Sequence, residues 1–136
     1  MFTVRVRVRG YELDMNGHVN QAVYMQYGEH ARWELLRAAG ISGEALTSSG
    51  VGTIVLELTI RFLSELRDGD ELDVTCSYRP KGAKTFAIAH DLRRADGVRA
   101  AEITGVGGLL DLNTRRLVSG PVGRLKALAA DPGLLG

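Results

Sequence analysis

The stretch Gly10–Leu36, GYELDMNGHVNQAVYMQYGEHARWELL, decides how this chain is read. It sets a carboxylate, Asp14, just ahead of a Gly17-His18-Val19-Asn20 turn, and the turn leads straight into a helical pattern. Val23, Tyr27, Ala31 and Leu35 recur every fourth position, and Tyr24, Gly28 and Leu36 widen the stripe. That spacing predicts one long helix from Asn20 to Ala39. Asn20 suits its N-cap, because a short polar side chain accepts from the free amides of the first turn. Gly40 suits its end, where a left-handed residue is needed.

Working outward, residues 2–8 alternate apolar and arginine side chains, the period of a strand with one wet face. ISGEALTSSGVG, residues 41–52, reads as a polar connection. Residues 53–63, 70–80, 85–95 and 99–113 are β-branched and partly alternating, and the turn signals RDGD, PKGAK and ADGV separate them, so an antiparallel meander is predicted. Residues 120–136 carry Pro121 near a helix start, with Leu125, Leu128 and Ala129 on one face, and predict a short terminal helix. The fold class is α+β: a bent antiparallel sheet of about five strands wrapped around one long central helix buries both apolar faces.

A length of 136 residues predicts a single domain over 1–136. No segment approaches the roughly 18 apolar residues of a membrane span, and MFTVRVRVRG lacks the apolar core of a signal peptide. A soluble, cytoplasmic protein without membrane insertion is expected. With a net charge of +1 and interspersed signs, no basic footprint for nucleic acid is present. The lone cysteine, Cys76, sits in an alternating stretch and reads as a small buried thiol. His18, His30 and His90 are isolated in sequence, so no metal site is predicted, and without a phosphate loop or nucleotide fingerprint no cofactor is expected.

The stretch VRGYELDMNGHVNQAVYMQYGEHARWELL resembles the hotdog-fold acyl-CoA thioesterases of the 4-hydroxybenzoyl-CoA thioesterase group, and is most similar to the long-chain acyl-CoA thioesterases of bacteria. The residues that carry the likeness are Asp14, Gly17, His18, Val19, Asn20, Tyr24, Glu29, Ala31 and Arg32. The resemblance implies a hotdog dimer with its sheets joined edge to edge, pairs of dimers as tetramers, and active sites at the subunit interface. It also implies that Asp14 is the catalytic carboxylate, and that a backbone amide near Gln21 polarises a thioester carbonyl. Gly28 stands where a bulkier apolar residue is expected and reads as widening an acyl tunnel.

Thioester hydrolysis needs a nucleophile or base on one side of the carbonyl and hydrogen-bond donors on the other. A helix N-terminus supplies such amides with a partial positive field. Asp14 can attack to form an acyl anhydride or activate a water, and both routes stay open. An isolated loop Asp is more often structural, since its carboxylate bonds nearby amides. His18 reads as ordering the turn before acting as an acid, and Asn20 as a cap before a substrate contact. Tyr24 and Tyr27 at helical spacing read as core that borders the acyl group, Tyr24 by its hydroxyl. Glu29 and Arg32 read as a helix ion pair, with Glu29 the minority candidate for the catalytic acid, as on the central helix of distant hotdog enzymes. Arg79, Lys81 and Lys84 flank a hairpin tip, where they either hold CoA phosphates or are simply solvated. The expected substrate is a fatty or polyketide-derived acyl group on CoA or acyl carrier protein. A hotdog hydratase or dehydratase is the first alternative, although its His lies one residue further from its Asp. A non-catalytic acyl-thioester-binding module is the second.

Overall fold

The computed structural model describes residues 1–136. Strand β1 (Phe2–Arg7) is followed by a 3-10 turn at Gly10–Glu12, helix α1 (Gln21–Ala38) and a short helix α2 (Gly43–Ser48). Strands β2 (Val51–Phe62), β3 (Glu71–Lys81), β4 (Thr85–Arg94) and β5 (Arg99–Asp111) come next, then α3 (Pro121–Leu128) and a 3-10 turn at Pro132–Leu135. The five strands form one sheet in the order β1-β3-β4-β5-β2, antiparallel at every neighbouring pair.

Helix α1 begins and ends where its end residues require. The Asn20 side chain accepts from the Ala22 amide at 2.9 Å, and Gly40 turns the chain out at a φ of 82°. Tyr24, Tyr27, Ala31, Leu35 and Leu36 are buried along the predicted stripe, and α1 packs chiefly on β3 and β1. Arg32 lies on the buried face with them. Trp33 faces the other way and is 48% exposed. Leu35, Leu72, Leu92 and Leu109 are fully enclosed, and each contributes about 1.5–3 kcal/mol relative to exposure.

Two features differ from the sequence expectations. Residues 41–52 are not all loop: Ser42 Oγ accepts from the Ala45 amide at 3.0 Å and starts α2, which buries Leu46. At six residues α2 is too short to leave a periodic signal. The meander covers only β3, β4 and β5, because β2 lies beside β5 rather than β3. Glycines permit that pairing: a Cβ on Gly105 would collide with the Glu57 carbonyl, and one on Gly107 would stand 2.8 Å from the Ile54 carbonyl. The chain therefore leaves β2 at one edge of the sheet and crosses to β3 through residues 63–70. Leu66, fully buried, anchors the crossing, and its carbonyl accepts from the Val19 amide at 2.8 Å. That bond brings the crossing segment against the turn ahead of α1.

The outer edge of β2 has no strand beside it. Val55 and Leu56 within it, Phe62 at its end and Leu63 just beyond are exposed.

Candidate active site

Between β1 and α1 the chain folds back on itself through an isolated bridge between Leu13 and Val19. Inside that loop the Asp14 amide donates to the His18 carbonyl at 2.9 Å, and the Gly17 amide donates to the Asp14 carbonyl at 3.1 Å. Gly17 has a φ of 78°, a conformation costly for any residue with a Cβ. The tight turn fixes the Asp14 carboxylate. Its Oδ1 accepts from the Asn16 amide at 2.8 Å, and its Oδ2 lies 3.3 Å from His18 Nε2.

The other ring nitrogen of His18 lies 3.3 Å from Glu65 Oε2, so the imidazole stands between two carboxylates. An imidazolium can donate to both, whereas a neutral ring can donate to only one. Glu65 comes from the crossing segment and is held by the Arg67 guanidinium, Nε to Oε1 at 2.7 Å. Arg67, and then His18, keep the Glu65 carboxyl below the usual carboxylate range.

Asp14, Asn16, His18, Asn20, Gln21 and Tyr24 line one open cleft of about 500 Å³, whose opposite wall is Phe62, Leu63, Ser64 and Glu65. The Tyr24 ring meets Phe62 edge-on, with centroids 5.0 Å apart, and gives the cleft an apolar side. Burial raises the Tyr24 phenol above its ordinary value, so it stays protonated. At the helix start the Ala22 amide is taken by Asn20 Oδ1, and the Val23 amide donates to the Asn20 carbonyl at 2.9 Å. The Gln21 amide donates to no group of the chain. One backbone donor, at the positive end of α1, is left for whatever enters the cleft.

Other residues singled out in the sequence lie elsewhere. Tyr27 points away from the cleft, and its hydroxyl donates to Glu12 Oε1 at 2.8 Å. Glu12 is itself buried and accepts from the Arg9 amide at 2.8 Å, so Tyr27 fastens α1 to the 3-10 turn. Gly28 faces the sheet: a Cβ there would stand 3.1 Å from His90 Cδ2 and 3.3 Å from Ile103 Cδ1, so the missing side chain lets α1 approach β4 and β5 rather than lining the Asp14 cleft. The expected Glu29–Arg32 ion pair does not form. Arg32 turns inward, and its Nη1 lies 3.0 Å from His90 Nε2. Glu29 borders a separate cavity with Arg32.

His90 has a defined tautomer. Its Nδ1 lies 2.8 Å from the Thr75 carbonyl, which can only accept, and its Nε2 faces a guanidinium, which can only donate. The ring is therefore neutral, and burial pushes its pKa down to about 4. Cys76 is buried in β3, and desolvation pushes its thiol up to about 12, which makes it an inert core thiol. Arg79 and Lys81 sit at the end of β3 remote from Glu71, and Lys84 lies in the following hairpin, so none of them borders the cleft of their own chain. Phe62, Leu63, Ser64 and Glu65 went unrecognised in the sequence, because only the crossing from β2 to β3 brings them to Asp14.

Residues 8–130 match the family model described as the thioesterase-like superfamily. Among curated relatives, a chloroplastic acyl-acyl carrier protein thioesterase of Arabidopsis thaliana is 46% identical over 87 residues, which are 64% of this chain and 46% of that protein. The chain thus spans about half the length of that relative. The long-chain acyl-CoA thioesterase FadM of Escherichia coli is 25% identical over 116 residues, 85% of this chain and 87% of that one. Among solved structures, the 1,4-dihydroxy-2-naphthoyl-CoA thioesterase of Synechocystis superposes with a TM-score of 0.82 at 20% identity, covering 93% of this chain and 94% of its own. That last likeness is one of fold.

Proposed function

The chain belongs to the thioesterase-like superfamily, and from that membership and the cleft at Asp14 we propose that it hydrolyses an acyl thioester to a free acid and a thiol. One observation carries the reading: a carboxylate and an unpaired helix-start amide, Asp14 and Gln21, line the same cleft. The thioester carbonyl lies with its oxygen toward the Gln21 amide and its carbon toward Asp14. As the carbon becomes tetrahedral the oxygen gains negative charge, and one preorganised donor is worth about 2.7–4 kcal/mol to that state. Asp14 supplies the attack, either as the nucleophile or by taking a proton from water. His18 holds Oδ2 in place while Asn16 holds Oδ1. Asn20 caps the helix so that the Gln21 amide stays free, and Gly17 lets the turn close. The acyl group, fatty or polyketide-derived, runs along Tyr24 and Phe62.

The assembly reading rests on β2. An exposed strand edge bearing Val55, Leu56 and Phe62 invites pairing, and two copies joined β2 to β2 give a continuous sheet. Phe62 both lines the cleft and ends that edge, so the second subunit stands beside the substrate and covers the open face of α1. The Arg79, Lys81 and Lys84 hairpin then serves CoA phosphates from the neighbouring subunit. A pair of such dimers makes the tetramer.

The test is thiol release from one acyl group presented on CoA and on acyl carrier protein, with enoyl absorbance followed in parallel. Release of thiol from either carrier supports hydrolysis, and the faster one names the carrier. Loss of enoyl absorbance without thiol makes the protein a hydratase, and acyl binding with neither makes it a binding module. A monomer with full activity overturns the shared-site arrangement.

A further inference from the structure

The cleft wall opposite Asp14 carries a second carboxylate, Glu65, and the backbone around it is pinned on both sides. Before it, the Leu63 and Ser64 amides both donate to the Ala100 carbonyl, at 2.9 and 3.1 Å. After it, Leu66 is fully buried, and its carbonyl accepts from the Val19 amide at 2.8 Å. The Glu65 carbonyl itself accepts from Arg94 Nη1 at 3.4 Å. A segment without regular secondary structure is thereby tied to β4, to β5 and to the turn ahead of α1, so the Glu65 side chain leaves from a fixed point.

That side chain is held at both oxygens. Oε1 takes the Arg67 guanidinium, Nε at 2.7 Å and Nη2 at 2.6 Å, which leaves Oε2 for His18 Nδ1 at 3.3 Å. His18 Nε2 reaches Asp14 Oδ2, also at 3.3 Å, so carboxylate, imidazole and carboxylate stand in a row. A loop imidazole that is 36% exposed and has a single acceptor can turn to other rotamers, whereas acceptors on both ring nitrogens select one orientation. The orientation matters because a reacting group displaced by about 1 Å loses up to about a hundredfold in rate. Both contacts are longer than the roughly 2.7–2.9 Å of a strong charge-assisted bond, so the loss of one costs less than the loss of Asp14.

We propose that Glu65 is a positioning residue for the hydrolysis: it holds the His18 imidazole, which in turn aims the Asp14 carboxylate at the thioester carbonyl. It touches neither the substrate nor Asp14. The inference rests on the reading of Asp14 as the group that performs the attack, and adds to it a support from a different segment of the chain.

The test is a double-mutant cycle on thiol release, with kcat and KM measured for the unaltered protein, Glu65→Ala, Glu65→Gln, Asp14→Asn and the Asp14→Asn, Glu65→Ala double variant. Glu65 is 42% exposed, so its variants should fold, and thermal melts check this. Glu65→Ala is expected to lower kcat at least about fivefold with KM within about twofold, since a hydrogen bond between charged groups keeps only part of its strength at an open site. Glu65→Gln, whose amide oxygen still accepts from His18 Nδ1, is expected to keep more activity than Glu65→Ala. In the Asp14→Asn background, Glu65→Ala is expected to change the residual rate less than about twofold, because no attacking group remains to be oriented. An equal loss in both backgrounds overturns the inference, since a merely structural role acts on either. A loss in KM alone overturns it by making Glu65 a substrate contact. A hundredfold loss in Asp14→Asn beside a silent Glu65→Ala removes the inference and leaves the hydrolytic reading, whereas near-normal turnover in Asp14→Asn removes both.

Discussion

Helix α1 carries two polar clusters that are built in opposite ways. At its start, Asp14, His18 and Glu65 are held by a turn and a crossing segment, and their side chains are 24%, 36% and 42% exposed. Halfway along, Arg32, His90 and the Thr75 carbonyl form a closed chain of hydrogen bonds beneath the helix, with His90 only 2% exposed. Burial fixes one protonation state at His90, whereas the first cluster stays open to solvent. The backbone differs in the same sense: amides inside a helix are committed to carbonyls a turn away, whereas the Gln21 amide at the start is not. Chemistry on an incoming carbonyl belongs at the end where a backbone donor is uncommitted and the cleft is open.

The largest test of that contrast is Gln21→Pro. Proline fits the first position of a helix, and Asn20 already has the extended conformation a preceding residue needs, φ −60° and ψ 138°. The substitution removes only the free N–H. Turnover at saturating acyl-CoA is expected to fall by about 10²–10³ with the melting temperature nearly unchanged. A folded variant with intact turnover would move the oxyanion donor elsewhere.

His90 tests the buried cluster through pH. Between its ordinary value near 6.5 and its folded value of about 4, the unfolded chain binds a proton at this ring that the folded chain does not, so stability rises with pH across that window. Acidification from pH 6.5 to 4 is expected to cost about 3 kcal/mol. Urea melts across that range should show the loss, and His90→Gln, which can still donate to Thr75 and accept from Arg32, should flatten it. Asp73, held down by Arg5, and Asp96, held down by Arg94, lose their contribution only at lower pH, as the solution falls below the usual carboxylate range. An unflattened slope in the variant would place the titrating group elsewhere.

The smallest effect belongs to the hairpin. Lys81→Ala with Lys84→Ala is expected to raise KM for acyl-CoA about two- to fivefold, with kcat unchanged and the difference vanishing in high salt. A truncated thioester lacking the nucleotide should not notice the change. An equal effect on both substrates would remove phosphate contact as the reason.

The sequence made α1, its cap, its terminal glycine and the Asp14 turn legible, because each depends on residues a few positions apart. Asp14, His18, Asn20, Gln21 and Tyr24 do converge on one cleft, and Gly17 closes the turn that presents Asp14 to it. What stayed hidden depends on contacts across the chain. The position of β2 beside β5 turns on the close approach that Gly105 and Gly107 permit, which periodicity does not report. Glu65 reaches His18 only through the resulting crossing. The four-residue stripe predicted the apolar face of α1 but passed over Arg32, whose burial is set by His90 on β4, and it gave Tyr27 no partner until Glu12 was brought beneath it.

Asp14→Asn, measured as thiol release at saturating acyl-CoA beside a thermal melt, tests the central claim most directly. Asparagine keeps the size of the side chain and an oxygen for the Asn16 amide, and it suits the turn, so the melt and substrate binding should change little. What disappears is the charge and nearly all the basicity. If Asp14 performs the attack, turnover falls at least about a hundredfold, the low end of what a positioned base contributes. Turnover close to that of the unaltered protein in a folded Asp14→Asn variant would contradict the account and send the search for the acid to Glu29.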